Sequence, residues 1–147
     1  MELVIKKFDE LSADELYEIL RARSAVFVVE QNCVYQDLDG KDKAAYHLWY
    51  QDEDGIAAYI RVLPMGVSFS DCSIGRVISL RRRKGLASSL MAEGIRLARE
   101  KFGAESIRIE AQSYAQKFYE YCGFRRISEG EFDVDGIPHV LMLWEKE

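Results

Sequence analysis

At 147 residues and a formal net charge of −5, the chain is long enough for one domain with one sizeable core, expected to span 1–147, and too acidic for a broad nucleic-acid footprint. Hydrophobic residues at 48% and charged residues at 31%, with only two prolines, argue against disorder. No apolar run nears the ~18 residues of a membrane span, and the charged start "MELVIKKFDE" does not read as a signal peptide.

In chain order, "MELVIKKF" reads as a short strand. "SADELYEILRARSAVFVVEQ" reads as one helix, opened by a Ser12/Glu15 capping box and carrying Leu16, Ile19, Leu20, Val26 and Phe27 at helical spacing. A polar loop, "NCVYQDLDGKD", follows with Gly40 as its turn signal. "YHLWYQDEDGIAAYIRVLP" reads as a hairpin turning at Asp54-Gly55, and "CSIGRVISL" as the fourth strand. "LASSLMAEGIRLAREKF" is helical up to a stop at Gly103. After it come the strand "SIRIEA" and the helix "YAQKFYEYC", which is stopped by Gly123. Two strands, "FRRISEGEF" and "HVLMLWEK", close the chain across a turn near Asp135-Gly136. The pattern is mixed α/β, with hairpins at both ends and a strand-helix-strand-helix section between. Cys33, Cys72 and Cys122 lie far apart, without metal-ligand or disulfide spacing, which favours a reducing, cytoplasmic setting.

The stretch with the most chemistry in it is "RRRKGLASSL", Arg81 to Leu90. A strand feeds a short basic loop, and the loop feeds a helix at Gly85. The first N–H groups of a helix lack intrahelical partners, and with the helix dipole they favour phosphate. Gly85 lets the backbone approach a ligand, and Arg82, Arg83 and Lys84 surround it with charge. Taken alone, the segment is as well explained by a solvated cationic face. Neither a Walker P-loop nor a Rossmann glycine fingerprint is present.

"RRKGLA" resembles the Gln/Arg-x-x-Gly-x-Gly/Ala pyrophosphate loop of the GNAT N-acetyltransferases, and "AQSYAQKFYEYCGF" resembles their second signature, Tyr-x-x-x-Gly-Phe, here Tyr119, Gly123 and Phe124. "VFVVEQNCVYQDLDGKD", "GRVISL", "EAQ" and "DGIPHVLM" are similar to the ElaA-type branch of that family, which usually has proline where this chain has Val34. The resemblance covers roughly residues 16–142. It implies an α/β (α+β) fold whose central mixed, mostly antiparallel sheet splays between strands four and five and is flanked by helices. It also implies acetyl-coenzyme A as cosubstrate. The main chain of Val77, Ile78 and Ser79 would pair with the pantetheine, and an N–H near Val77 or Ile78 would polarise the thioester carbonyl. The backbone of Arg83, Lys84, Gly85, Leu86 and Ala87, with Arg82, would hold the pyrophosphate. Gln112 would orient a water or the pantetheine.

An aliphatic ammonium, with a pKa near ~10, must lose a proton before it attacks, and the departing thiolate must gain one. The resemblance makes Tyr119 the acid. Its bland alternative is a tyrosine packed beside the sheet. The base is open: His139 on the last strand is one candidate, with lone strand histidines more often structural, and Glu110, ending the fifth strand, could relay protons through water. Glu30, ending the first helix, and His47, opening the second strand, are further candidates for the base and candidates to line the acceptor site, and His47 could equally hydrogen-bond the Asp37–Asp42 loop. Cys122 precedes the helix stop and is expected to pack. No spacing suggests a metal.

The resulting expectation is an enzyme that transfers acetyl from acetyl-coenzyme A to a primary amine, on a small molecule or a peptide, in a ternary complex. It needs neither nucleic acid nor membrane, and the sequence leaves room for a homodimer. A non-catalytic acyl-coenzyme A module on the same fold is the alternative, ahead of a basic-loop RNA-associated protein. Acidic residues at Asp37, Asp39 and Asp42, and at Glu129, Glu131, Asp133 and Asp135, are expected to steer a cationic acceptor.

Overall fold

The structure, a computed structural model, describes residues 1–81 and 85–147. Its elements are β1 (Glu2–Lys7), α1 (Ala13–Arg23), β2 (Tyr46–Asp52), β3 (Gly55–Leu63), β4 (Ser73–Ser79), α2 (Leu86–Phe102), β5 (Ser106–Gln112), α3 (Gln116–Tyr121), β6 (Arg125–Arg126), β7 (Phe132–Val134) and β8 (Ile137–Glu145). β1 to β4 form one antiparallel sheet in sequence order. β8 lies at the middle of a second sheet, pairing antiparallel with β5, β6 and β7. The two sheets meet where β4 and β5 run parallel, through one bridge among the described residues, between Cys72 and Ile107. There the Arg108 N–H donates to the Cys72 carbonyl at 2.9 Å. This is the splayed, mostly antiparallel α/β arrangement expected.

Strand alternation sends side chains to two faces. Leu48, Ala58, Ile60, Val62, Ile107, Ile109, Ala111, Val140 and Met142 pack with Leu90, Met91, Leu97 and Ala98 of α2, and the half-buried Phe118 and Tyr119 of α3 join them. On the opposite face Trp49, Tyr59 and Ile78 pack with Ile19 and Ala22 of α1. α2 can lie this close to β3 because of Gly94, where an added Cβ would stand 2.6 Å from Ile60 Cδ1 and 3.2 Å from Ile74 Cδ1.

The capping box is formed: Glu15 N–H donates to Ser12 Oγ at 3.0 Å, and Ser12 N–H to Glu15 Oε1 at 2.8 Å. The helix it opens is not uniform, however. After Arg23 it widens into a π-helical stretch, Ser24–Glu30, with Gln31 N–H donating to the Val26 carbonyl and Cys33 N–H to that of Val28. The run Val26-Phe27-Val28-Val29 is β-branched and aromatic, and such residues crowd an α-turn. "FRRISEGEF" likewise does not form one strand. Arg126 turns its guanidinium onto the carbonyls of Ser128 and Glu129, both at 2.9 Å, and curls the chain between β6 and β7.

Candidate active site

The split between β4 and β5 is the centre of the candidate site. Past the Cys72–Ile107 bridge, no ladder bond joins β4 to β5 among the described residues. Val77, Ile78 and Ser79 lie on this open stretch of β4. Val77 packs with the α2 face and Ile78 with the α1 face, which leaves main-chain groups as what this stretch can offer a ligand.

β4 reaches that stretch through a bulge. Gly75 stands opposite Arg61 and Ile78 opposite Tyr59, so Arg76 and Val77 together face one residue of β3. Arg76 takes the left-handed conformation, φ 52°, which is uncommon outside glycine. Downstream, Gly85 caps α2 at φ 64°. Its Cβ position is open, with Ser88 Oγ at 3.9 Å as the nearest atom, so glycine is required there by conformation rather than by space. Arg82, Arg83 and Lys84 lie outside the described residues. Leu86 and Ala87 form the first turn of α2. Arg81, which precedes them, is committed to Asp52 through two hydrogen bonds of 3.0 and 3.1 Å.

Tyr119 is wedged edge-on between Phe118 and Phe124, with ring centroids 5.1 and 6.2 Å away. Burial pushes its phenol well above the ordinary tyrosine value, with Cys122 and Tyr114 adding to the shift, so it stays protonated. The side-chain atoms sealed without a partner among the described residues are Arg61 Nε and Ser113 Oγ, and the Tyr119 hydroxyl is not one of them. Burial also raises the neighbouring Cys122 thiol to about 11, which keeps it protonated and unfit as a nucleophile.

The remaining candidates fall on the other face of the split. Glu110 and Gln112 alternate with the buried Ile109 and Ala111, and His139 is in register with Gln112. His139 Nδ1–H donates to the Ile137 carbonyl at 2.8 Å, which leaves Nε2 as the lone-pair nitrogen. Its ring stacks on Phe132, 6.1 Å between centroids. Glu110 is exposed. Gln112 exchanges two amide hydrogen bonds of 3.3 Å with Gln31, at the end of the π-helical stretch that also carries Glu30. The Cys33 thiol donates to the Asp135 carbonyl at 3.3 Å. The first helix and the last hairpin thus meet across the mouth of the split.

Two expectations need correction. His47 does not line an acceptor site: it is 0% exposed, with Nε2–H donating to the Asp42 carbonyl at 3.0 Å and Nδ1 accepting from the Tyr59 hydroxyl at 2.6 Å. Nor do Asp37, Asp39 and Asp42 form an acidic mouth. They are matched by Arg23, Arg61 and Arg76 in a cluster of three arginines and three aspartates. Burial opposes the charge on Asp39 and Asp42, but the hydrogen bond from Arg61 to Asp39 and that from Arg23 to Asp42 outweigh it, holding Asp39 well below the usual carboxylate range and lowering Asp42 as well. Sequence reading missed the arginines, although Arg23 gives a signal by falling four residues after Ile19 on the apolar stripe of α1. The second acidic group does lie largely in solvent, with Glu129, Glu131, Asp133 and Asp135 exposed.

The chain belongs to the acetyltransferase (GNAT) domain family, whose model matches residues 9–146, and is an acyltransferase of that family. It is 36% identical to the ElaA protein of Escherichia coli over 140 residues, 92% of this chain and 91% of that one. The crystal structure of Escherichia coli ElaA superposes with a TM-score of 0.89 at 34% identity, covering 98% and 99% of the two chains. An acyl-CoA N-acyltransferase from Pseudomonas aeruginosa does so equally well, at 32% identity with the same coverage. Among the described residues, no helix is long and apolar enough to cross a membrane, and no group of three or more His, Cys, Asp or Glu is placed to hold a metal ion.

Proposed function

We propose that this acyltransferase moves an acetyl group from acetyl-coenzyme A to a primary amine, by direct attack with both substrates bound. The observation that supports the reading is the split itself: the main chain of Val77 to Ser79 runs along its open edge, with Tyr119 packed on the α2 and α3 face and His139 paired beside Gln112 on the opposite face of β5 and β8. Acetyl-coenzyme A supplies the activated acyl group. Main-chain groups of Val77 to Ser79 lie along the open edge of β4 and would orient the thioester, with an N–H near Val77 or Ile78 polarising its carbonyl. The first turn of α2, opened by Gly85, has the unpaired N–H groups and positive dipole end that suit a pyrophosphate.

His139 Nε2 would take the proton from the amine, with Glu110 acting through water as the second candidate base. The amine nitrogen bonds to the acyl carbon, the carbon–sulfur bond breaks, and Tyr119 gives the thiolate its proton. Glu30 and the Gln31–Gln112 pair would border the acceptor. Because the Asp37, Asp39 and Asp42 charges are matched by arginines, any pull on a cationic acceptor falls to the exposed acids of the last hairpin.

A thiol-release screen of acetyl-coenzyme A against small-molecule and peptide amines tests the reading, and thermal shifts with the thioester alone accompany it. Turnover with at least one primary amine is expected. Stabilisation by acetyl-coenzyme A with no turnover on any amine would instead favour a non-catalytic acyl-coenzyme A module.

A further inference from the structure

We propose that Arg76 and Asp37 form a clamp that holds the β4 bulge in its left-handed turn, and so sets the direction in which the Val77–Ser79 main chain faces the thioester. Arg76 is a positioning residue in this scheme, and the catalytic half of the idea rests on the acetyl-transfer reading above.

The argument begins with conformation. Arg76 sits at φ 52°, where a residue bearing a Cβ meets the carbonyl that follows it. Glycine would adopt this turn without penalty, yet the position carries one of the longest side chains. That side chain is held by the loop at 35–42. Its Nε donates to Asp37 Oδ1 at 2.8 Å, and its Nη2 to the Asp37 carbonyl at 2.9 Å and Asp39 Oδ2 at 3.4 Å. The guanidinium also lies 5.8 Å from the centroid of the Tyr35 ring.

The far end of the clamp is fixed in turn. Asp37 is itself gripped by Arg23 Nε at 3.0 Å, and Arg23 reaches Asp42, which Arg61 of β3 also holds. The guanidinium of Arg76 therefore binds an anchor tied to α1 and to β3, the strand that the bulge pairs with. A left-handed non-glycine residue persists only where its surroundings over-determine it, and here they do so on the strand that borders the split. The loop at 35–42 thus acts on the reaction through the backbone of β4.

The test is a series at one position. Arg76→Ala removes the clamp and keeps the Cβ penalty. Arg76→Gly and Arg76→Asn also remove the clamp but tolerate a left-handed turn. Backbone NMR shifts of Gly75 to Ile78, recorded without any ligand, should move in the alanine variant and stay near wild type in the glycine and asparagine variants. With the best amine from the screen, kcat should fall furthest in Arg76→Ala and recover by about 5–30-fold in Arg76→Gly, the population ratio equivalent to the left-handed penalty. The Kd of coenzyme A, measured by calorimetry, should change little across the series.

Equal losses of kcat in all three variants would mean that the charge cluster serves stability alone, and the proposal fails. Wild-type shifts and wild-type kcat in Arg76→Ala would overturn it as well. Shifts that move without any change in kcat refute the catalytic half. If the wild-type protein acetylates no amine, the acetyl-transfer reading fails instead, and the NMR series still decides whether the clamp holds the bulge.

Discussion

Replacing Arg23 by methionine keeps the length of the side chain and removes its charge. Arg23 is 0% exposed, and its partners Asp37 and Asp42 are 6% and 7% exposed. The guanidinium donates to Asp37 Oδ2 at 3.0 Å and to Asp42 Oδ1 at 2.6 Å. Removing one member of a buried ion pair costs about 3–5 kcal/mol, because the other charge is left without compensation. Asp37 retains Arg76 and Asp42 retains Arg61, which places the expected loss at the low end, about 3 kcal/mol. For a chain of this length that corresponds to a fall in Tm of about 6–12 °C. Denaturant unfolding and calorimetry measure it directly. Arg21→Ala, which breaks only the exposed Arg21–Glu18 pair, should cost no more than about 1 kcal/mol. The difference between the two variants should persist at high salt, since buried charges are poorly screened. A loss under about 1 kcal/mol for Arg23→Met would refute the view that this cluster holds α1 to the loop at 35–42.

Tyr119→Phe should lower turnover by roughly 10²-fold, within the usual range for a general acid, with little change in coenzyme A affinity; wild-type thiol release would mean that another group protonates the thiolate. Gly85→Val should abolish coenzyme A binding measured by calorimetry, while Gly85→Asn, which tolerates a left-handed turn, should retain most of it; equal behaviour of the two would refute the conformational requirement. Burial lowers the pKa of His47 below its ordinary 6.5, so its contribution to stability is complete above that pH and lost as pH falls through and below it. Asp39 and Asp42, held below the ordinary 3.8, should add a second loss under about pH 4. Tm measured against pH should show both steps, and His47→Gln should remove the first.

Much of the architecture was legible because periodicity and caps act locally. Ser12 and Glu15 begin α1 where the capping box predicts, and Gly85 and Gly103 bound α2 at Leu86–Phe102. The π-helical widening was not legible, since the apolar residues of 24–30 keep a helical spacing while their β-branched crowding alters the turn. Tyr119 and Gly85 came to notice through family motifs, not through any pattern of charge or polarity. The arginine–aspartate cluster escaped for a different reason. A charged residue in a strand or helix reads as solvent-facing, and only tertiary assembly brings Arg23, Arg61 and Arg76 around Asp37 and Asp42. The left-handed turn at Arg76 escaped with it, because its anchor is 39 residues away.

A seam joined at one bridge divides the chain along its sequence as well as in space. Every described strand pairing of β1 to β4 lies within residues 2–79, and every described pairing of β5 to β8 within 106–145, so among the described residues Cys72–Ile107 is the one strand bridge between the halves. Two blocks of this kind are expected to open as separate cooperative units, with the boundary of hydrogen-exchange protection falling near α2. A cofactor lodged between β4 and β5 would touch both blocks at once. Its arrival would merge two unfolding events into one, and the fold would report its own cargo as a gain in cooperativity.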